Sequence, residues 1–83
     1  MMESICRICG HESNEYFWDD GCPAYIICPC CGCESGNEDY TVESAKEYRT
    51  EWVDNGAKWF DEKLKPIEWI LSTQLEKIPE DYK

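Results

Sequence analysis

Two short segments, Cys6-Arg7-Ile8-Cys9-Gly10 and Cys28-Pro29-Cys30-Cys31-Gly32, constrain this chain more than anything else in it. Each is a Cys-x-x-Cys followed at once by glycine, and 18 residues separate the two pairs. That is the two-pair spacing of a structural metal site, in which each of two tight turns supplies two thiolates to a tetrahedral ion. A glycine after the second cysteine suits a backbone that must turn where a Cβ would be penalised. The spacing therefore assigns Cys6, Cys9, Cys28 and Cys31 to one Zn2+ per chain. Iron is the alternative, because a tetrahedral cage of thiolates accepts both metals.

The chain needs such a staple. At 83 residues it is one small domain, with four Trp, five Tyr and two Phe from which to build a core. Seven cysteines is an odd number. The start, Met1-Met2-Glu3-Ser4, has neither a basic nor an apolar leader, and no stretch is long enough to span a membrane. Reduced thiols in a cytoplasmic protein fit this better than a secreted disulfide scaffold.

The aromatic and β-branched runs Glu15–Trp18 and Ala24–Ile27 predict two strands, joined by Asp19-Asp20-Gly21-Cys22-Pro23. The second strand leads straight into Cys28. From Thr41 the period lengthens: Val42, Ala45, Tyr48 and Trp52 recur as on one helical face. Ser44 and Glu47 are spaced as a capping box, with Thr41 the other candidate start, and Asn55-Gly56 makes a C-terminal stop. Pro66 opens a second predicted helix with Ile67, Ile70, Leu71, Leu75 and Ile78 on its apolar face and Pro79 at its end. The expected fold is small α+β: a zinc-ribbon β-hairpin over residues 1–38, stapled by the four-cysteine site, with a two-helix tail over 39–83 packed on it. Tyr48, Trp52, Trp59, Phe60, Trp69, Ile70 and Leu75 should form the shared core. No internal repeat or low-complexity tract is expected.

The knuckles resemble those of zinc-ribbon and rubredoxin-like domains over roughly residues 4–36. The larger pattern runs Cys28-Pro29-Cys30-Cys31-Gly32-Cys33-Glu34-Ser35-Gly36, Tyr48-Arg49 with Trp52, Gly56-Ala57-Lys58-Trp59-Phe60, and Pro66 with Trp69 and Gln74-Leu75. It is similar to small bacterial cysteine-rich proteins with a CPCCG core and a Trp-rich helical tail. That resemblance implies no activity.

Cys22, Cys30, Cys33 and His11 are left over. With the four assigned ligands they make eight donors, arithmetically enough for two zinc sites, and Cys30 and Cys33 are themselves a Cys-x-x-Cys pair. Glycine selects between the registers, because Gly32 follows Cys31 whereas Glu34 follows Cys33. Cys30 should then point away from the metal, with His11 the alternative ligand. Four cysteines close the coordination shell, and no catalytic set or phosphate loop is present, so an enzyme is not expected.

Eighteen acidic against eight basic residues give a formal charge of −10. Residues 1–45 hold nine acids and one base, residues 46–83 nine acids and seven bases. Affinity for phosphate comes from Lys and Arg, so neither nucleic acid nor an anionic membrane is an expected partner. A basic protein is. Glu43, Glu47, Glu51 and Asp54 line one side of the first helix, and Glu34, Glu38 and Asp39 precede it. These seven carboxylates are the expected docking face. At ~6 Å between charges the helical stripe is too sparse to mimic a DNA strand, at ~3.4 Å. In size and charge the chain resembles immunity proteins of bacterial toxin systems. The leading expectation is such an inhibitor of a cognate toxin; the others are a docking module of the transcription or translation machinery and a rubredoxin-like electron carrier.

Overall fold

The computed structural model describes residues 2–83. A small antiparallel sheet comprises β1 (Met2–Glu3), β2 (Trp18–Asp19) and β3 (Cys22–Pro23), in that order. β1 pairs Met2 with Asp19 and Glu3 with Trp18; β2 pairs Trp18 with Pro23 and Asp19 with Cys22. Asp20 and Gly21 close the β2–β3 hairpin, both with positive φ, which is the backbone a two-residue hairpin loop requires. The Asp-Gly turn is therefore where the sequence puts it, but the strands are not. Only Trp18 of the first predicted strand is in a strand, and Ala24–Ile27 lies outside the sheet. The third strand comes instead from the N-terminus.

Two tighter hairpins carry the knuckles. Isolated bridges join Ile5 to Glu12 and Ile27 to Glu34. Within them the Cys6 N–H donates to the His11 carbonyl and the Gly10 N–H to the Cys6 carbonyl. In the second, the Cys28 N–H donates to the Cys33 carbonyl and the Gly32 N–H to the Cys28 carbonyl. Gly10 and Gly32 both adopt the left-handed conformation, φ 83° and 79°. The chain contains an internal repeat after all: Ile5-Cys6-x-x-Cys9-Gly10-x-Glu12-Ser13 recurs at Ile27-Cys28-x-x-Cys31-Gly32-x-Glu34-Ser35.

The helix α1 spans Val42–Asp54. Thr41 caps it, accepting from the Ser44 N–H, and the Ser44 hydroxyl accepts in return from the Thr41 N–H. The capping box is thus Thr41 with Ser44, not Ser44 with Glu47. Ala45, Tyr48, Arg49 and Trp52 face inward, while Val42 sits on the rim. Asn55 and Gly56 end the helix as expected, Gly56 with φ 102°.

The second helix is much shorter than the apolar pattern predicts. α2 covers only Leu71–Leu75, between short 3-10 turns at Glu62–Leu64 and Glu80–Tyr82. Residues 66–70 approach it in an extended and turned path, so Ile67 and Ile70 are exposed, and Trp69 precedes the helix. Trp69 is nevertheless turned inward, edge-on to Trp52 at 6.5 Å and to Trp59 at 5.6 Å between ring centroids. Phe60 leaves the expected core: it is 68% exposed, lying over the second knuckle, where a Cβ at Gly32 would come within 3.0 Å of its ring.

Candidate metal centre

The two knuckles bring the thiols of Cys6, Cys9, Cys28 and Cys31 together, all four buried and with every sulfur within 4.8 Å of every other. Cys6 and Cys31 are 3.7 Å apart at sulfur, Cys9 and Cys28 3.6 Å. A zinc ion with Zn–S bonds of about 2.3 Å would set tetrahedral sulfurs about 3.8 Å apart. The donor set and its dimensions therefore fit one tetrahedral thiophilic ion, with four protein ligands and no open position. None of the seven cysteines is in a disulfide.

The electrostatics of the bare cage point the same way. Hydrogen bonds from Cys28, then Cys31 and Cys33, hold the Cys6 thiol well below its ordinary pKa. Burial pushes Cys9 up, and hydrogen bonding with Cys28 pushes Cys31 up. Cys6 is thus held down while Cys9 and Cys31 are held up, the split expected of thiols crowded around one point.

The C-terminal half holds this cage by its backbone, and the holding follows the repeat. Of the first knuckle's carbonyls, those of Arg7 and Ile8 accept from the Arg49 guanidinium, and that of Cys9 accepts from the Gln74 amide. Of the second, those of Pro29 and Cys30 accept from the Asp61 and Phe60 N–H groups, and that of Cys31 accepts from the Tyr48 hydroxyl. Each pair of equivalent carbonyls finds a donor, though the donors differ. A Cβ at Gly10 would also run into the Gln74 carbonyl oxygen, so glycine is required there for close approach as well as for turning.

Arg7, between the first two ligands, is buried and makes a bidentate ion pair with Glu3, both bonds 2.8 Å. Its guanidinium stacks between the Trp18 ring at 3.8 Å and the Tyr82 ring at 4.5 Å, tying β2 and the C-terminal turn to the knuckle. Arg7, Arg49 and Gln74 were not among the sequence-derived site residues. Arg49 reads in sequence as a break in the acidic stripe, and nothing in a single-residue pattern says that it turns inward.

The remaining donors are placed as follows. His11 is half-buried, edge-on to Trp59 at 5.4 Å, and is not part of the four-thiol group. Cys22 is exposed. Cys30 and Cys33 are both buried beside the cage rather than turned away from it: Cys33 is 3.9 Å from Cys6 at sulfur, and Cys30 accepts from the Gln74 amide at 3.2 Å.

The expected docking carboxylates divide. Glu43, Glu47, Glu51 and Asp54 are exposed on the outer side of α1, and Glu34 and Glu38 are partly buried beside it. Asp39 is not available to a partner. It is 1% exposed, accepting from the Trp18 indole at 2.9 Å and the Gly36 N–H at 2.7 Å. An acid between Asn37-Glu38 and Tyr40 looks solvated in sequence; its partners lie 21 and 3 residues back.

No helix among the described residues is long and apolar enough to cross a membrane. Comparison with known proteins returns no matching family model, no matching curated relative and no matching solved structure.

Proposed function

We propose that this chain is a non-enzymatic, cytoplasmic zinc protein in which the metal is structural and the outer face of α1 binds a basic protein partner. The observation that carries the reading is the four-thiol cage itself. Its ligands are buried and fill a tetrahedral shell, so a bound ion has no position for water or substrate. Zinc is the ion of choice for a closed cage of this kind, since it brings no redox chemistry of its own. The exposed Glu43, Glu47, Glu51 and Asp54 supply the docking surface. Like charges at four-residue spacing oppose the helix by about 0.2–0.5 kcal/mol per pair, a small cost that a gain in association rate would offset. An immunity-type inhibitor of a basic bacterial toxin is the specific form of this reading, supported by the formal charge of −10 and the exposed carboxylates of α1.

Metal analysis of the purified protein tests the first half. One zinc per chain is expected, retained in C22S and lost in C28S together with cooperative unfolding. A red, iron-containing protein would replace this reading with a rubredoxin-like electron carrier. The second half is tested by reversing Glu43, Glu47 and Glu51 together to Lys. Association with a basic protein partner should slow strongly at low salt, with the metal retained. An unchanged rate would leave the stripe a solvated helix face.

A further inference from the structure

Every side chain from Glu62 to Glu68 is exposed, yet the segment is held in place. The Asp61 carboxylate accepts from the Lys63 N–H, the Leu64 N–H donates to the Asp61 carbonyl, and the Trp69 N–H donates to the Pro66 carbonyl. Phe60, Leu64, Ile67 and Ile70 are presented outward along this stretch, Ile67 wholly exposed. Single exposed apolar side chains are ordinary on any protein, whereas several close together mark an interaction surface. The turn from Pro66 to Trp69 also stands between two grooves. Trp59, Pro66 and Trp69 line both; Leu64 and Ile70 line the first, of about 380 Å3, and Ile67 the second. The first groove has room for one branched aliphatic side chain.

Charge indicates what covers this face. Residues 56–70 carry Lys58, Lys63 and Lys65 against Asp61, Glu62 and Glu68, a net of zero, so the whole formal charge of −10 lies on the other residues. Two copies of the chain repel when they approach through acidic surface elsewhere, and this face escapes that repulsion. A neutral surface with both signs interspersed is also complementary to itself. A two-fold axis sets residue i of one copy against residue j of the other and j against i, so that each pairing of lysine with carboxylate occurs twice. We propose that this face is the interface of a two-fold homodimer, with Ile67 of each copy entering the groove between Trp59 and Trp69 of the other. Knob and groove lie on either side of one turn, so insertion is reciprocal. The outer carboxylates of α1 take no part, and the dimer does not depend on a basic partner.

The test is sedimentation equilibrium of the full-length protein from dilute to near-millimolar concentration, at low and at moderate salt. Wild type should pass from monomer to dimer, and the dimer should tighten as salt rises, because screening relieves the repulsion between two chains of like charge. Binding of a basic protein to α1 should weaken over the same salt range, so the two readings fail separately. I67E should raise the dimer Kd by about tenfold or more, as for a central apolar anchor. Y16E, at an exposed aromatic residue outside the segment, should leave it unchanged. A monomer at every concentration, assembly beyond a dimer, a dimer that weakens with salt, or an I67E protein that pairs as well as wild type would each overturn the proposal. Loss of the dimer in Y16E would do so too, by placing the interface elsewhere. Should I67E fail to fold, hydrogen exchange of the wild type decides: protection over residues 62–70 in concentrated against dilute protein supports this interface, and protection absent there rejects it.

Discussion

At the scale of single residues, the buried polar groups do the work of tying the knuckles to the rest of the chain. Arg49 donates to the carbonyls of Arg7, Ile8 and Tyr82, so one side chain joins the first knuckle, α1 and the C-terminal turn. Truncation leaves three carbonyls without that donor. R49A should cost about 2–4 kcal/mol in denaturant unfolding, from hydrogen bonds to a charged group and the desolvated acceptors left behind. R49K should recover little, since an ammonium cannot reproduce the fork. A variant R49A as stable as wild type would show that water replaces the guanidinium. Asp39 makes a different prediction. Burial pushes its carboxyl above the ordinary 3.8, against the opposing pull of the Trp18 and Gly36 hydrogen bonds and of Arg7. The folded state thus holds this proton more tightly than the unfolded chain does. The ionised carboxyl costs stability at neutral pH, and that cost disappears as pH falls through the folded pKa towards the unfolded value. Asparagine does not titrate. The stability of D39N relative to wild type should therefore fall as pH is lowered, measured by denaturant midpoints on the metal-loaded proteins; a relative rise in acid would place the folded pKa below the ordinary value.

At the scale of elements, the aromatic residues separate into those that hold the C-terminal half and those that cover a knuckle from outside. Trp52 is buried on α1, donates its indole N–H to the Lys58 carbonyl and packs edge-on to Trp69. Phe60 contributes its backbone N–H to the Cys30 carbonyl while its ring stays largely in solvent. W52A should cost about 3–5 kcal/mol, whereas F60A, which keeps the backbone bond, should cost well under half of that. Thermal unfolding of the two variants checks the contrast, and equal losses would return Phe60 to the core. The sequence distinguishes these cases poorly, and the reason is physical. The four-cysteine group was legible because chain spacing and glycine positions express the knuckle directly. Helix α1 was legible because its inner face repeats at helical period with a cap at each end. The strands were not, because residues 2–3, ahead of the first knuckle, and 22–23, between the two, each pair with Trp18–Asp19, which Arg7 ties to Glu3, and β-propensity marks neither. The apolar run from Ile67 to Ile78 satisfied a helical pattern, yet only five residues are helical; the chain there bends to seat Trp69 and bring Gln74 to the cage. The 22-residue repeat, Ile-Cys-x-x-Cys-Gly-x-Glu-Ser, is present as letters, but beyond the cysteines and glycine its matches are single residues that no periodicity marks.

At the scale of the whole molecule, the metal cage and the C-terminal half depend on each other. The knuckle carbonyls are closed by donors from Tyr48, Arg49, Phe60, Asp61 and Gln74, and the tryptophan cluster of residues 52, 59 and 69 sits against the first knuckle through His11. Regular secondary structure adds little to hold either half. The sheet is three two-residue strands, a 13-residue helix is marginal on its own in water, and α2 is a little over one turn. With a metal bound, its removal would leave four crowded buried thiols that repel one another whenever more than one ionises. Structural zinc in small domains contributes roughly 10–16 kcal/mol of apparent free energy, more than the stability of a typical domain. A strong chelator should therefore abolish the tryptophan near-UV circular dichroism and the thermal transition in one step, with both returning on addition of one equivalent of zinc. The two signals must move together, because the same hydrogen bonds carry the cage and orient the indoles. A metal-free protein that kept its tryptophan dichroism and melted cooperatively would mean that the helical half folds alone and only the knuckles require the ion.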